Sequence, residues 1–149
     1  GLIDSYLPPK IISSKDINES SKEEHLRWIT DFDEGLALSI ESNKPIFIDF
    51  TGYTCTNCRW METNVFVDIK VQELFNNFVL VQLFTDGGEN YRRNQKMEVE
   101  RFGTAALPFY VVLSPENEEI SRFHGMDPDI NKFVKFLKDS LNNFKERGI

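Results

Sequence analysis

The chain has 149 residues, of which 40% are hydrophobic and 13% aromatic, and its net charge is -7. A chain of this length can bury roughly two thirds of its unfolded surface, so we expect one domain that folds alone. The excess of acidic residues argues against nucleic acid as a partner, because phosphate binding needs a basic face.

The sequence does not predict direct insertion of this segment into a membrane. No apolar stretch approaches the ~20 residues that cross a bilayer, and the N-terminus lacks the regions of a signal peptide. The start at Gly1 fits an excised segment of a longer protein that has a leader or a membrane-embedded portion. Residues 1–27 show little periodicity and predict an extended lead-in, which leaves 28–149 as the folded domain.

Helical periodicity begins soon after this lead-in. Phe32, Leu36 and Ile40 recur at helical spacing and predict a first helix, with Asp31 before them as a capping residue. Residues 45–50 then form a short apolar run with β-branched and aromatic side chains. This run predicts a buried central strand.

The middle of the chain predicts a helical region followed by another strand. Helical spacing continues from Cys55 to Asn77, and it indicates two pieces with a bend near Asp68. The apolar run 78–84 predicts a second buried strand, which ends at the turn-forming sequence Asp86-Gly87-Gly88.

The last third of the chain predicts a helix, a hairpin and a terminal helix. Residues 90–102 are polar but favour a helix. Its expected inward residues are Tyr91, Met97 and Phe102. The runs 109–113 and 119–123 predict a β-hairpin, and 130–141 predict an amphipathic helix. This order of elements favours a mixed sheet between helices.

Two cysteines separated by two residues follow the predicted central strand and open a helix. A disulfide between cysteines this close in sequence would stabilise the fold little, so the spacing favours a reactive pair over a structural one. Cys55 is expected near the helix N-terminus, where free N–H groups stabilise a thiolate, and is the predicted attacking thiol. Cys58 lies within one helical turn and is the predicted resolving thiol.

Two other interpretations of the pair remain open from its spacing alone, a pair of inert buried cysteines and half of a zinc site. Zinc needs two more ligands, and the further candidates are His25, His124 or carboxylates, none of them in a paired spacing. We therefore expect no metal and no small-molecule cofactor. If the pair is reactive and not inert, its working group is a redox-active Cys55-Cys58 disulfide.

The residues around the cysteines resemble a known superfamily. The stretch Ile48 to Arg59 is similar to the active-site stretch of the thioredoxin superfamily, and Leu107-Pro108 before a strand resembles its cis-proline. The resemblance runs from about Ile46 to the end of the chain. It implies an α/β thioredoxin fold, with a mixed central β-sheet flanked by helices on both faces, that exchanges disulfides with protein thiols.

The same resemblance implies a substrate-binding set beside the cysteines. These residues are Tyr53, Thr54, Leu107 and Pro108. Two positions depart from the superfamily pattern: Thr54 stands where many members carry Trp, and Thr56-Asn57 replaces the Gly-Pro of thioredoxin. Partner contacts and reduction potential are the properties that these departures affect.

Within the superfamily, the chain most resembles the C-terminal periplasmic domains of the DsbD family. The resemblance includes Lys44-Pro45 before the strand, Asp49 and Glu62. It implies that the two carboxylates join Cys55 and Cys58 as catalytic residues by tuning their ionisation. A strand Asp between two apolar residues is hard to explain by solubility, whereas Glu62 also fits a solvent-facing helix position.

The DsbD resemblance further implies a periplasmic, monomeric domain that takes electrons from a transmembrane donor and passes them to protein thiols. Two rival functions remain. One is a free-standing thioredoxin-like reductase or isomerase, and the other is a non-catalytic binding module with the same fold. Trapping of mixed disulfides by a variant without Cys58 would separate the last from the other two.

Overall fold

The computed structural model describes residues 26–147, which form a five-stranded sheet packed against helices. In chain order the elements are β1 (Trp28–Ile29), α1 (Phe32–Ser42), β2 (Ile46–Thr51), α2 (Thr56–Asn64), α3 (Ile69–Phe75), β3 (Val79–Phe84), α4 (Tyr91–Lys96) with a π-helical continuation (Met97–Arg101), β4 (Phe109–Leu113), β5 (Glu119–His124) and α5 (Ile130–Arg147). The predicted lead-in lies outside the described residues, apart from its last two positions.

The sheet is mixed, as the sequence predicts, with strand order β1-β3-β2-β4-β5. The strands β1, β3 and β2 are parallel, whereas β4 pairs antiparallel with β2 and forms the predicted hairpin with β5. Every residue of the central strand β2 is buried. The strand β1 was not predicted, because two residues are too few to show a period.

Helices cover both faces of the sheet. One apolar cluster joins Phe47 to side chains of α2, α3 and α5, and the other joins Ile48 and Phe50 to side chains of α1 and α4. Successive strand residues point to opposite faces, so Asp49 and Thr51 lie on the same face as Phe47. This alternation places both polar side chains beneath α2, the helix that begins next to Cys55.

The first helix buries only part of the face that its spacing predicts: Phe32 is buried and Leu36 packs against the core, but the third predicted residue does not. Ile40 is 61% exposed, whereas Gly35 and Ser39 are buried. A Cβ on Gly35 would collide with Val81 of β3, so the absence of a side chain lets α1 approach the sheet closely. Apolar spacing alone does not reveal such a close approach.

The helix α4 also buries polar residues instead of some predicted apolar ones. Phe102 is buried as predicted, but Tyr91 and Met97 are only partly covered. Asn94 and Glu98 are buried in their place. The amide Nδ2 of Asn94 donates to the carbonyl of Phe84 at 2.9 Å, and this bond satisfies a backbone acceptor where β3 ends.

Candidate active site

The two cysteines lie where β2 ends and α2 begins. Cys55 is the N-cap of α2, and its Sγ accepts a hydrogen bond from the backbone N–H of Cys58 at 3.1 Å. The Cα atoms of the two cysteines are 5.3 Å apart, and their sulfurs form a disulfide. The predicted redox pair is therefore present in its oxidised form.

The surroundings of the two sulfurs differ. Cys55 is partly exposed, whereas Cys58 is only 2% exposed. The first turn of α2 contains no acidic residue, so its free N–H groups and dipole favour a negative charge on the N-cap sulfur. This arrangement suits Cys55 for attack on an external disulfide and Cys58 for the internal step.

The backbone before Cys55 is held by Asp86, from the loop after β3. The Asp86 carboxylate accepts hydrogen bonds from the N–H groups of Tyr53 at 2.9 Å and Thr54 at 3.2 Å, and from the Thr54 hydroxyl at 3.0 Å. The Tyr53 N–H in particular lowers the pKa of Asp86. Sequence reasoning assigned Asp86 only to a turn, because no local pattern reports a contact made 33 residues away.

The loop that precedes β4 contacts this backbone at Gly52 through Leu107. A Cβ on Gly52 would lie 2.9 Å from Asp86 Oδ2 and 3.1 Å from Leu107 Cδ1, so only glycine fits without displacing a neighbour. The peptide bond between Leu107 and Pro108 is cis, as the superfamily resemblance implies, and Pro108 is buried. The structure thus brings Leu107 to the turn that precedes the cysteines.

Tyr53 presents an aromatic ring in the turn before Cys55. Its ring stacks on Phe84 with centroids 4.0 Å apart, and the residue is 56% exposed. Support from Phe84 on one side leaves part of the ring available to an approaching protein. Thr54, between Tyr53 and Cys55, is also exposed, while its hydroxyl is bonded to Asp86.

Asp49 is a carboxyl group buried in the sheet beneath α2. It is 1% exposed, its Oδ2 accepts a bond from Gln82 Nε2 at 3.2 Å, and its Oδ1 has no hydrogen-bond partner among the described residues. Burial raises the pKa of Asp49 to about 7; Gln82 and Arg59 counteract this rise, and Glu62 adds to it. Asp49 is therefore poised to gain or lose a proton near neutral pH.

Gln82 was missed by sequence reasoning, although a signal for it was available. It is the one polar side chain in the run Val79–Phe84, and the parallel register pairs it with Asp49. A polar residue opposite a buried carboxyl in neighbouring strands indicates a hydrogen bond across the sheet.

The sequence also allowed Glu62 to be a plain solvent-facing residue of the helix. In the structure its carboxylate is instead bonded to another side chain. Its Oε2 accepts a bond from Arg59 Nη2 at 2.8 Å, and the Glu62 side chain is 29% exposed. The same Arg59 nitrogen donates to Thr51 Oγ1 at 3.0 Å. Arg59 and Glu62 thus lie close enough to Asp49 to influence its charge.

Residues 26–147 contain neither a metal-binding cluster nor a helix that could span a membrane. No cluster of three or more His, Cys, Asp or Glu side chains is arranged there to hold a metal ion. Within the same range, no helix is both long and apolar enough to cross a bilayer.

Replacing Asp86 with Ala is expected to loosen the turn before Cys55. The change removes the acceptor of three hydrogen bonds, and we expect a loss of about 1–2 kcal/mol in the free energy of unfolding. We also expect a change in the reduction potential of the cysteine pair, measured against thiol buffers. Asp33→Ala is the control, because Asp33 is an exposed residue bonded to the distant Arg93. If both variants behave alike, Asp86 has no special effect on the site.

Comparison with known proteins agrees with this geometry. The chain is 29% identical over 84 residues to the thiol:disulfide interchange protein DsbD of Campylobacter jejuni, an alignment that covers 56% of this chain and 15% of that protein. The chain thus matches only a small part of the length of this curated relative.

Two solved structures show the same fold. A thioredoxin from Thermus thermophilus superposes with a TM-score of 0.68 and 26% identity, covering 83% of this chain and 93% of that one. The C-terminal domain of Neisseria meningitidis DsbD in its reduced form superposes with a TM-score of 0.62, covering 76% of this chain and 99% of that one. At 13% identity, the second likeness concerns the fold alone.

A mixed sheet between helices, with a disulfide-forming cysteine pair at a helix N-terminus, defines the class of thioredoxin-fold thiol-disulfide oxidoreductases. The family described as Thioredoxin-like matches residues 27–115, and the chain belongs to this family.

Proposed function

We propose that this oxidoreductase relays electrons between proteins by dithiol-disulfide exchange, with Cys55 as the attacking and Cys58 as the resolving thiol. The observation that carries the proposal is the contrast between the two sulfurs. Cys55 Sγ caps a helix at a partly exposed position, and Cys58 is buried within disulfide-bonding distance. The Cys55 sulfur can therefore reach a partner protein, and the buried Cys58 sulfur can then attack the mixed disulfide and release that partner.

In the proposed reaction, the Cys55 thiolate attacks one sulfur of a partner disulfide and displaces the other as a thiolate, which takes up a proton. The Cys58 thiolate then attacks the Cys55 sulfur of the mixed disulfide and displaces the partner's second sulfur as a thiolate, which takes up the second proton. The partner gains two electrons and two protons, and this chain becomes oxidised. Asp49 is the group we propose to accept, in its ionised form, the proton that Cys58 gives up, because it is buried beneath the helix of Cys58 and burial raises its pKa to about 7.

The turns around the cysteine pair supply the proposed partner surface. Tyr53 offers a supported aromatic ring, and Leu107 lies against Gly52 on the other side of the same turn. With Thr54 and the cis-proline Pro108, they form the proposed substrate-binding set.

The DsbD similarity supports a specific place for this exchange. We place the chain in the periplasm as a monomeric domain, which a membrane-embedded donor reduces and which then reduces a periplasmic thiol protein. The similarity to the Thermus thermophilus thioredoxin favours a second candidate, a free-standing disulfide reductase. Reduction of the oxidised chain by membrane vesicles that contain a DsbD transmembrane domain would support the first, and failure of such vesicles would support the second.

The first experiment is the reduction potential of the Cys55-Cys58 couple, measured by equilibration with defined thiol buffers and alkylation of free thiols. A value near or below about -270 mV, that of thioredoxin, would support a domain that delivers electrons. A value toward about -120 mV would indicate an oxidase instead. If no reversible disulfide forms, the exchange proposal fails and a non-catalytic binding module becomes the better explanation.

A further inference from the structure

Arg59 follows Cys58 directly, yet its guanidinium bonds to groups of the protein. Its Nη2 donates to Thr51 Oγ1 at 3.0 Å and to Glu62 Oε2 at 2.8 Å, and its Nε is buried without a hydrogen-bond partner among the described residues. Thr51 itself is fully buried at the end of β2. The Arg59 side chain is 41% exposed, but its buried Nε and the two bonds of Nη2 show that one side of the guanidinium is held against the protein instead of being hydrated.

The two bonds fix Glu62 at a particular place. Cys58 and Glu62 are four residues apart on α2 and so lie on the same side of the helix. Thr51 lies on the face of β2 that α2 covers, two residues beyond Asp49. By bridging Thr51 and Glu62, Arg59 ties the Glu62 carboxylate to the end of β2 instead of leaving it free to turn toward Asp49.

The charges in this corner are few. The electrostatic interactions here join Asp49, Glu62 and Arg59. Burial raises the pKa of the Tyr110 hydroxyl, on the strand next to Asp49, and its interaction with both carboxylates raises that pKa further. Gln82 on the opposite neighbouring strand is uncharged. Arg59 is thus the one cation within this group, and its removal leaves two carboxyl groups without an opposite charge.

We propose that Arg59 is a positioning residue of the dithiol site, which holds the Glu62 carboxylate against Thr51 and so keeps it from opposing a thiolate at the cysteine pair. This inference rests on the proposed exchange function. It assigns Arg59 an indirect action through Glu62, which differs from direct stabilisation of the Cys55 sulfur.

The test is a set of substitutions read by the pH profile of Cys55 alkylation. Reduced protein is treated briefly with iodoacetamide at a series of pH values, and modification of Cys55 is quantified by mass spectrometry. Arg59→Gln is expected to move the midpoint of the profile upward by roughly half a pH unit, about three-fold slower alkylation at pH 7. Glu62→Gln is expected to move the midpoint downward.

Two comparisons separate positioning from simple charge. In the Glu62→Gln background, the shift caused by Arg59→Gln should fall by at least half, because no carboxylate remains to be held. Arg59→Lys keeps the charge, but the lysine nitrogen is one bond closer to the backbone than Nη2 and should not reach Thr51 and Glu62 together, so this variant should show more than half of the Arg59→Gln shift. An undiminished shift in the Glu62→Gln background, or an Arg59→Lys profile like that of the unmodified protein, would overturn the proposal.

Arg93→Gln is the matched control, because Arg93 forms its exposed ion pair with Asp33 away from the cysteines and should leave the profile unchanged. Urea unfolding of each variant checks that the fold is kept, and Arg59→Lys serves if Arg59→Gln does not fold. A normal profile for the unmodified protein with no shift in any Arg59 variant rejects only the role of Arg59. Absence of a reversible disulfide in the unmodified protein rejects the proposed function itself.

Discussion

Cys55→Ser is expected to abolish disulfide exchange, with a fall in rate of roughly a thousand-fold or more, because the thiolate is the nucleophile and an alcohol does not replace it. The substitution replaces the capping sulfur with a hydroxyl oxygen at the N-cap of α2, where Ser is among the preferred residues. Apart from the lost disulfide, the fold should therefore be little affected. Exchange is measured as reduction of a model peptide disulfide, and circular dichroism reports whether the fold is kept.

Cys58→Ala is expected to give the opposite kind of defect. Cys55 still attacks, but without its partner the mixed disulfide is not resolved and accumulates. Non-reducing electrophoresis and mass spectrometry should show a covalent adduct with Cys58→Ala and none with Cys55→Ser. Both variants lack the internal disulfide, so each controls for that loss in the other. Equal trapping by both variants would contradict the assignment of the two roles.

Several parts of the site were predictable because their signals are local. The cysteine spacing after an apolar strand indicated the redox pair, and the position of that strand indicated a buried Asp49. Asp31 was predicted as a capping residue and caps α1, and the bend predicted near Asp68 falls where the Asp68 side chain caps α3. Each of these signals lies within a few residues of the feature that it predicts.

Other parts depend on contacts between distant segments. Asp86 reaches the turn before Cys55, and Gln82 reaches Asp49, in each case from a strand or loop more than 30 residues away. The face that α1 buries depends on its close approach at Gly35. The sequence marks Gln82 as the one polar residue of its strand, but that Gln82 meets Asp49, that Asp86 meets the turn and that α1 approaches at Gly35 follow from sheet register and packing.

The stability of the folded protein is expected to depend on pH through Asp49. Its pKa in the folded protein is about 7, above the ordinary value of 3.8, so the folded state holds the proton more tightly than the unfolded chain. Below about pH 4, Asp49 is neutral in both the folded and the unfolded state and does not affect the free energy of unfolding. As the pH rises from about 4 to 7, the unfolded chain loses this proton more readily than the folded protein, so the free energy of unfolding falls. Above pH 7 the loss is complete and amounts to at most about 4 kcal/mol.

Asp49→Asn should therefore stabilise the oxidised protein at pH 8 by up to about 4 kcal/mol and flatten the fall in stability between pH 4 and 7. Urea unfolding of the oxidised form at several pH values measures this change, since the disulfide-bonded cysteines do not titrate. Glu98, whose pKa burial raises to about 8, gives a similar loss toward higher pH in both proteins, so their difference isolates Asp49. A stability profile unchanged by the substitution would show that Asp49 is not buried as a titrating acid.

The same substitution tests whether that destabilising carboxyl group serves the reaction. Asn cannot accept a proton, so the step in which Cys58 resolves the mixed disulfide should slow by about a hundred-fold at pH 7. Glu98→Gln is the matched control, since Glu98 is also buried but belongs to the helical segment on the opposite face of the sheet. It should raise stability at high pH and leave exchange unchanged. Equal slowing by both variants would mean that stability alone explains the effect, whereas slowing by Asp49→Asn alone would identify Asp49 as the group that handles the proton.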